Sequence, residues 1–231
     1  TQIINLATLS YHDGAGTRTA TASVTVTVSL VPAAVTIVPG ANQSTSYSSG
    51  ATLTDSFTVT AGANGPDTYN ITTAVTGSTN TTGATATPVT TTVTLGATVT
   101  TAGSTNTVIV VPADGNLPGE VPGVNGINVG DTVVINGESR TVTAIQDNAT
   151  GTSTITLSSP LSSVPAAGVL VAERQVIQAT VTPGTITTPG TDVTVSVTAT
   201  VSSATNPAAT ATSTPPVLNT FTSGVANLSK Y

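Results

Sequence analysis

The strictest pattern in this chain is an alternation of apolar and hydroxyl residues near its beginning. Six apolar residues from Ala20 to Leu30 occupy every second position, and Thr or Ser fills each position between them. A repeat of two residues is what a β-strand with one buried face requires, because successive side chains in a strand point to opposite faces. The pattern therefore predicts a strand over 20–30 with one face to be covered by other protein.

A second strand is predicted just before this one, over Ile3 to Tyr11, where apolar side chains fall on both faces. Between the two strands lies the segment His12-Asp13-Gly14-Ala15-Gly16-Thr17, in which Asp-Gly supplies the positive φ that hairpin loops need. The two strands are thus predicted to form an antiparallel hairpin. Val31-Pro32 follows as a linker, and a new series of strands begins after it.

This hairpin is expected to need a partner, because an isolated two-stranded hairpin is marginally stable in water. Full burial of a Val, Leu or Ile side chain contributes about 1.5–3 kcal/mol, so the aliphatic residues of the hairpin together give on the order of 10 kcal/mol before entropy costs. From periodicity alone, packing on its own domain and pairing with a neighbouring copy are equally open. The predicted interface residues are Ile4, Leu6, Leu9, Tyr11, Ala22, Val24, Val26, Val28 and Leu30.

The low charge of the chain limits the partners that it can bind. Charged residues make up 6% of the sequence, only four residues are Lys or Arg, and the net charge is −6. Soluble domains usually carry about 25% charged residues, so Thr and Ser hydroxyls must form most of the polar surface here. No basic run is present, so we expect neither nucleic acid nor an anionic membrane surface as a partner.

Other features of the composition favour a location outside the cell. The chain has no Cys, Met or Trp, which excludes disulfides and removes the two side chains that oxidise most easily. It begins with Thr1 and shows no charged-then-apolar leader, so we expect a mature chain from which a signal has been removed. No apolar run approaches the roughly 18 residues of a membrane span. Regularly spaced Val and Ile argue against disorder.

The rest of the chain is predicted to be all-β, because strand candidates recur between turn signals and no segment has a helical period. Residues 104–174 differ from their surroundings: they hold six of the ten acidic residues and two of the three Arg, and their strands are shorter. We therefore predict a hairpin (1–30), a β-sandwich core (31–103 and 175–231) and an inserted, small barrel-like β subdomain (104–174). Within the insertion, Asn136-Gly137 is a tight hairpin signal.

Individual strands are predicted from alternation and from the Gly and Pro residues between them. Val217–Phe221 and Val225–Leu228 are predicted as short edge strands, because prolines interrupt the sequence before them. The other predicted strands that bear on the fold are Ala34–Val38, Leu53–Ala61, Tyr69–Val75, Pro88–Leu95, Gly168–Ala172, Gln175–Thr182 and Thr191–Val201.

Two segments resemble parts of an immunoglobulin-like repeat that is common in bacterial and archaeal surface proteins. Val35-Thr36-Ile37, Gly50-Ala51-Thr52-Leu53, Phe57-Thr58-Val59-Thr60 and Asn64-Gly65-Pro66-Asp67-Thr68-Tyr69-Asn70 resemble its opening, and Asn5–Tyr11 with Thr21–Val28 resembles its closing hairpin. Closing strands therefore precede opening strands. This permutation is similar to that of filament subunits assembled by donor-strand complementation, and it implies an immunoglobulin-like sandwich that exchanges a hairpin between subunits.

No group of residues predicts catalysis, a cofactor or a bound metal. His12 is the only histidine and lies beside Asp13 in a Gly-rich turn, which is typical of a solvated turn residue. The acidic residues are expected to be scattered singly through loops. Asp114-Gly115-Asn116 lacks the ligand spacing of a calcium loop and is predicted to be a turn. Lys230, the sole lysine, is expected to be solvated.

Five sequons offer possible N-glycosylation sites, and most of them fall near predicted loops. A glycan at such a position could coat the surface of a fibre. The acceptor residues are Asn42, Asn70, Asn80, Asn148 and Asn227.

These observations predict an extracellular, pilus-like filament subunit rather than an enzyme. Identical subunits would be its partners, each donating its hairpin to the next, and other cells or surfaces could be bound by the fibre. The insertion would decorate the fibre or contact neighbouring subunits. The alternative prediction is a monomeric cell-surface adhesin or a surface-layer binding domain.

Overall fold

The computed structural model describes residues 2–27, 29–115 and 123–224, which form β-strands joined by turns. The all-β fold predicted from the sequence is confirmed, and the described strands form several sheets around buried apolar side chains. The strands are β1 (Gln2–His12), β2 (Thr17–Thr27), β3 (Thr36–Pro39), β4 (Gln43–Ser46), β5 (Leu53–Thr60), β6 (Asp67–Thr79), β7 (Thr81–Thr82), β8 (Thr85–Pro88), β9 (Thr92–Leu95), β10 (Ala97–Val99), β11 (Val108–Pro112), β12 (Gly123–Val124), β13 (Ile127–Asn128), β14 (Thr132–Ile135), β15 (Glu138–Gln146), β16 (Thr152–Leu157), β17 (Leu170–Thr182), β18 (Thr185–Ile186), β19 (Val193–Ser203), β20 (Thr210–Thr212) and β21 (Val217–Thr222).

Two sheets enclose the main core as a sandwich. One sheet has the strand order β4-β21-β19-β6-β9, with β20 also paired to β19, and the facing strands are β3, β5, β17 and β8. In β19 every second residue from Val193 to Val201 is fully buried, as the Val/Thr alternation predicts. Phe57 and Val59 of β5 and Tyr69 of β6 pack in the same core. Thr and Ser side chains occupy most of the outward positions of β19.

A second apolar cluster lies within the predicted insertion. Its antiparallel strands follow the order β11-β16-β15-β14-β17. The predicted tight turn is confirmed, because Asn136 (φ 51°) and Gly137 (φ 80°) join β14 to β15 and Ile135 pairs with Glu138. Thr101 N–H donates to the Val110 carbonyl oxygen at 2.7 Å, but no strand ladder joins β10 to β11 in the described part of the chain. The barrel-like closure of this block stays a prediction.

One strand, β17, runs through both clusters. Its first residues pair with β14 and β10, and its last residues pair with β5 and β8. Arg174 pairs with Thr132 of β14 and also with Thr60 of β5. The prediction of separate strands over 168–172 and 175–182 is therefore wrong. Glu173 and Arg174 interrupt the apolar alternation of the sequence, but their backbone pairs with β14 and continues the strand. The predicted boundary between the insertion and the sandwich, at 174/175, therefore falls inside β17.

The last described strand, β21, lies inside its sheet and not at the edge. β21 lies between β19 and β4, so the prediction of an edge strand over 217–221 is wrong. The strand that the sequence did not predict is β4, which pairs with β21 in parallel. Its Gln-Ser-Thr-Ser sequence has no apolar alternation. The predicted strand over 225–228 lies outside the described residues.

Candidate assembly interface

The hairpin formed by β1 and β2 is a sheet of its own. The two strands pair residue by residue from Gln2 opposite Thr27 to His12 opposite Thr17. Among the described strands, neither pairs with any strand other than its partner in the hairpin. Ladder hydrogen bonds are therefore satisfied along the inner edges of the hairpin, while neither outer edge pairs with another strand in the described part of the chain.

The turn of the hairpin is ordered by Asp13. Its Oδ1 accepts hydrogen bonds from the N–H groups of Ala15 (3.0 Å) and Gly16 (3.1 Å), and its Oδ2 accepts one from Arg18 Nε (2.8 Å). The Arg18 guanidinium lowers the pKa of this exposed carboxyl, and the bonded N–H groups act in the same direction. His12 Nδ1 accepts from the N–H of Gly14 at 3.2 Å. These contacts hold the turn and bring no second catalytic group to His12.

The register divides the hairpin into two chemically different faces. Directly opposed residues share a face, so Ala7, Leu9 and Tyr11 lie on the same side as Ala22 and Val24. We call this side the apolar face. The opposite side, which we call the hydroxyl face, carries Leu6 together with Thr8, Ser10, Thr19, Thr21 and Ser23.

The apolar face is uncovered in the single chain. The side chains of Leu9 and Val24 are each 64% exposed, and Tyr11 is 50% exposed. Leu6 on the hydroxyl face is 63% exposed, and Ala22 is exposed as well. Scattered exposed apolar residues are ordinary, but a strand ladder that presents them side by side forms a surface suited to protein contact.

The remaining predicted interface residues have other positions. Ile4 and Val26 belong to the paired backbone of β1 and β2, and their side chains are outside the described set, as is the whole of Val28. Leu30 lies beyond β2, which ends at Thr27, and is 37% exposed. The predicted extension of the strand to Leu30 is therefore wrong, because the backbone after Ser29 is bound elsewhere.

The linker between hairpin and sandwich is bound by the loop over 62–66. Asn64 Oδ1 accepts from the N–H of Val31 at 2.7 Å, and its Nδ2 donates to the Ser29 carbonyl oxygen at 3.4 Å. Tyr69 donates its hydroxyl to the Ala33 carbonyl oxygen at 3.3 Å. The linker thus leaves the sandwich at a defined place. Asn64 was not predicted as a functional residue, since a loop Asn-Gly-Pro reads only as a turn.

Two of the five sequons have a side-chain amide that is already used. Asn80 has a φ of 55°, and its Nδ2 donates to the carbonyl oxygens of Thr188 (3.0 Å) and Thr191 (2.8 Å). Asn148 Nδ2 donates to the carbonyl oxygen of Thr152. Because N-glycosylation replaces a hydrogen of this nitrogen, a glycan at either residue would disturb these bonds.

Two other sequons are exposed. Asn70 is exposed on β6, in a strand rather than in a loop. Asn42 is exposed just before β4, and its Oδ1 accepts from the N–H of Leu218 at 3.0 Å. Asn227 lies outside the described residues, as does Lys230. Geometry therefore separates two exposed sequons from two engaged ones.

Two carboxyl groups occupy the interior of strands, so the expectation that acidic residues lie in loops is wrong for them. Asp55 of β5 is fully buried, and Glu173 of β17 is 7% exposed. The sequence did contain a signal for Asp55. It lies two residues from Leu53 and from Phe57 in an alternating strand, so its side chain shares their inward face. Glu173 Oε2 accepts from the N–H of Gly96 at 2.7 Å. Both carboxyls tie strands together.

Burial changes the proton affinity of both groups. Burial raises the pKa of Asp55 above its ordinary value, and the hydrogen bond from Asn219 opposes this. Burial also raises the pKa of Glu173 to about 7; the negative charge of Asp131 adds to this shift, while the Gly96 hydrogen bond opposes it. Asp55 lies opposite Ala179 of β17, six residues along that strand from Glu173, so the two carboxyls are not side by side as an acid–base pair would be.

The other acidic candidates also have structural partners. Asp114 Oδ2 accepts from the N–H of Asn125 at 2.6 Å and so holds the turn between β12 and β13. Within residues 2–27, 29–115 and 123–224, no three His, Asp or Glu side chains come together as metal ligands would. Nor do these ranges include a helix long and apolar enough to cross a bilayer.

No family model matches the chain, and a search of curated proteins finds no similar sequence.

Proposed function

We propose that this chain is a structural subunit of an extracellular, pilus-like filament, in which each subunit donates its hairpin to the next. The observation that carries the proposal is the uncovered apolar face of the hairpin, with Leu9 and Val24 each 64% exposed. Strand addition to a sheet edge satisfies backbone hydrogen bonds and buries alternate side chains together. A hairpin with two unpaired outer edges is suited to that mode of binding.

The chemistry of the chain supports assembly through strands rather than charges. Most side chains on both faces of the hairpin are hydroxyl or apolar, and its one described ion pair joins Arg18, near the start of β2, to Asp13 of the turn. With a net charge of −6 over 231 residues, little repulsion opposes the close approach of copies. A head-to-tail contact of this kind does not close on itself, so it generates a fibre.

The sandwich would receive the hairpin at an edge and not as a replacement for a missing interior strand. The inward residues of β19 are fully buried by the chain's own strands. The strand order of the six-stranded sheet ends at β4 and β9, which are therefore its outer members. We propose addition along an exposed edge as the docking mode.

The buried core also favours a second candidate function. Because the sandwich covers its main core without the hairpin, the chain could work as a monomeric adhesin or surface-layer binding domain. In that case the hairpin would be an appendage, and copies would remain separate in solution.

Electron microscopy of negatively stained material, before and after hot detergent, distinguishes the two functions. The filament proposal expects uniform fibres that survive, and a variant lacking residues 1–30 that folds by circular dichroism but forms no fibres. Particles with the mass of one chain would reject hairpin donation and favour the monomeric function. Normal fibres from the deletion variant would reject hairpin donation as the way in which the fibre assembles.

A further inference from the structure

The loop over 62–66 contacts both the hairpin's linker and the insertion. We infer that this loop fixes the direction in which the hairpin leaves the sandwich, and that the insertion supports the loop by packing against it. The inference deepens the proposed function, on which its consequence for filaments rests. It assigns a mechanical role to residues 104–174, which the sequence analysis expected to decorate the fibre or to contact neighbouring subunits.

On the linker side, Asn64 acts as a substitute for a neighbouring strand. A carboxamide side chain has the same donor and acceptor as a peptide group. Asn64 uses both, accepting from Val31 N–H (2.7 Å) and donating to the Ser29 carbonyl (3.4 Å). Two bonds to positions 29 and 31 fix the linker in both location and orientation.

Close backbone packing reinforces this contact. A Cβ added at Gly62 would lie 2.2 Å from the carbonyl oxygen of Ala34, so the linker backbone lies directly against the loop. At Gly65, an added Cβ would lie 3.6 Å from Leu30 Cδ1, which is ordinary contact distance. Val35 is then buried in the sandwich core. The linker is therefore held at several successive residues.

On the opposite side, the loop touches the turn between β12 and β13. A Cβ added at Gly126 would lie 2.7 Å from Pro66 Cβ, so Pro66 and Gly126 are packed together. The turn itself is held, because Asn125 donates its backbone N–H to Asp114 Oδ2 at 2.6 Å and its Nδ2 to the Pro112 carbonyl oxygen at 3.1 Å. The loop cannot move away from the linker without displacing this turn.

The first experiment measures the Asn64 contact in the full-length chain without requiring filaments. In Asn64→Ala, the amide hydrogen of Val31 should exchange about fivefold faster by NMR, as expected for loss of one hydrogen bond. Asn64→Asp keeps the acceptor and should retain most of the protection. Asn106→Ala is the matched control, because Asn106 is an exposed loop asparagine in the insertion. Unchanged exchange at Val31 in Asn64→Ala would overturn the inference.

The second experiment tests this support with two matched glycines. Gly126 (φ 81°) and Gly137 (φ 80°) have nearly the same backbone strain, but an added Cβ meets no atom within 4 Å at Gly137. Gly126→Ala should therefore accelerate Val31 exchange at least about threefold more than Gly137→Ala does, since only the former displaces Pro66. Equal effects on Val31 would show that the insertion does not support the loop.

Filaments supply the functional readout. If fibres form, those of Asn64→Ala should show a broader distribution of helical twist than wild-type or Asn106→Ala fibres, with similar subunit stability. An identical, narrow twist in all three would overturn the directional role. If the wild-type chain forms no fibres, the proposed function fails, while the exchange measurements still decide whether the loop holds the linker.

Discussion

Asn219 Nδ2 donates a hydrogen bond to Asp55 Oδ2 across the sandwich, at 2.9 Å, and both residues are fully buried. Asp55 belongs to β5 and Asn219 to β21, so the bond joins the two facing sheets through their apolar core. Asp55 Oδ1 and Asn219 Oδ1 have no hydrogen-bond partner among the described residues. The pair is thus a polar link whose loss would leave further groups unsatisfied.

Removal of one member of this pair should destabilise the sandwich strongly. Asp55→Ala leaves the Asn219 amide buried without its acceptor and opens a cavity, so we expect a loss of about 2–4 kcal/mol in the free energy of unfolding. Asp55→Asn keeps the shape and an acceptor oxygen and should cost much less. Urea denaturation at pH 7 measures both. Equal losses for the two variants would contradict the importance of the hydrogen bond.

Glu173 should make stability depend on pH. Its folded-state pKa of about 7 lies above the ordinary value of 4.5, so the folded chain binds more protons than the unfolded chain. Its contribution is present in full below pH 4.5 and is lost as pH rises through 7. Allowing for solvent screening, we expect Glu173→Gln to flatten this decline by about 2 kcal/mol. Denaturation curves at pH 4.5, 6 and 8 provide the measurement.

The matched control for this pH dependence is Glu138→Gln. Hydrogen bonds from the Ser162 side chain and backbone, and the neighbouring Arg140, lower the pKa of this half-buried carboxyl. Glu138 therefore stays ionised throughout the range from pH 5 to 8, and its removal should leave the slope unchanged there. A slope that persists in Glu173→Gln would mean that another group carries the pH dependence.

A methyl group at position 62 should release the linker. Gly62→Ala would place a Cβ 2.2 Å from a backbone oxygen of Ala34, which cannot move as a flexible side chain would. We expect a loss of about 1–3 kcal/mol and cleavage by proteases between residues 29 and 35. Gly77→Ala, whose nearest neighbour would be 3.9 Å away, is the control. Proteolytic resistance equal to that of the control would refute tight linker packing.

The apolar face of the hairpin should matter for assembly and not for folding of the subunit. Leu9→Thr combined with Val24→Thr retains strand-forming residues and should change the unfolding free energy by less than about 0.5 kcal/mol, because both side chains are exposed. Sedimentation should show a large loss of fibres. Thr8→Ser combined with Thr21→Ser changes the hydroxyl face instead, and fibres should persist. Wild-type fibre yield from the Leu9/Val24 variant would argue against donation of this face.

Strands with regular alternation could be predicted from the sequence because the signal is local. The inward Val residues of β19 and the Asn136-Gly137 turn follow directly from side-chain periodicity and turn chemistry. The short strand β4 could not be predicted in this way, because its Gln-Ser-Thr-Ser sequence is defined only by its parallel partner β21.

The candidate site was predictable only in part for the same reason. Alternation in 20–30 predicted the second strand of the hairpin, and Asp13-Gly14 predicted the turn that precedes it. The role of Asn64 depends on a contact with residues more than thirty positions earlier in the chain, so no local pattern reveals it. Likewise, the polarity of Asp55 is explained only by Asn219, which lies on the other sheet.

The continuity of β17 has a consequence for how this chain can be divided. Its 13 residues serve two cores at once, with Arg174 paired to strands of both. A cut at the predicted boundary would sever this shared strand and remove ladder partners from each side. Residues 104–174 therefore cannot be excised or transplanted at that point as an independent unit. A pulling force applied to them would be transmitted to the sandwich through β17.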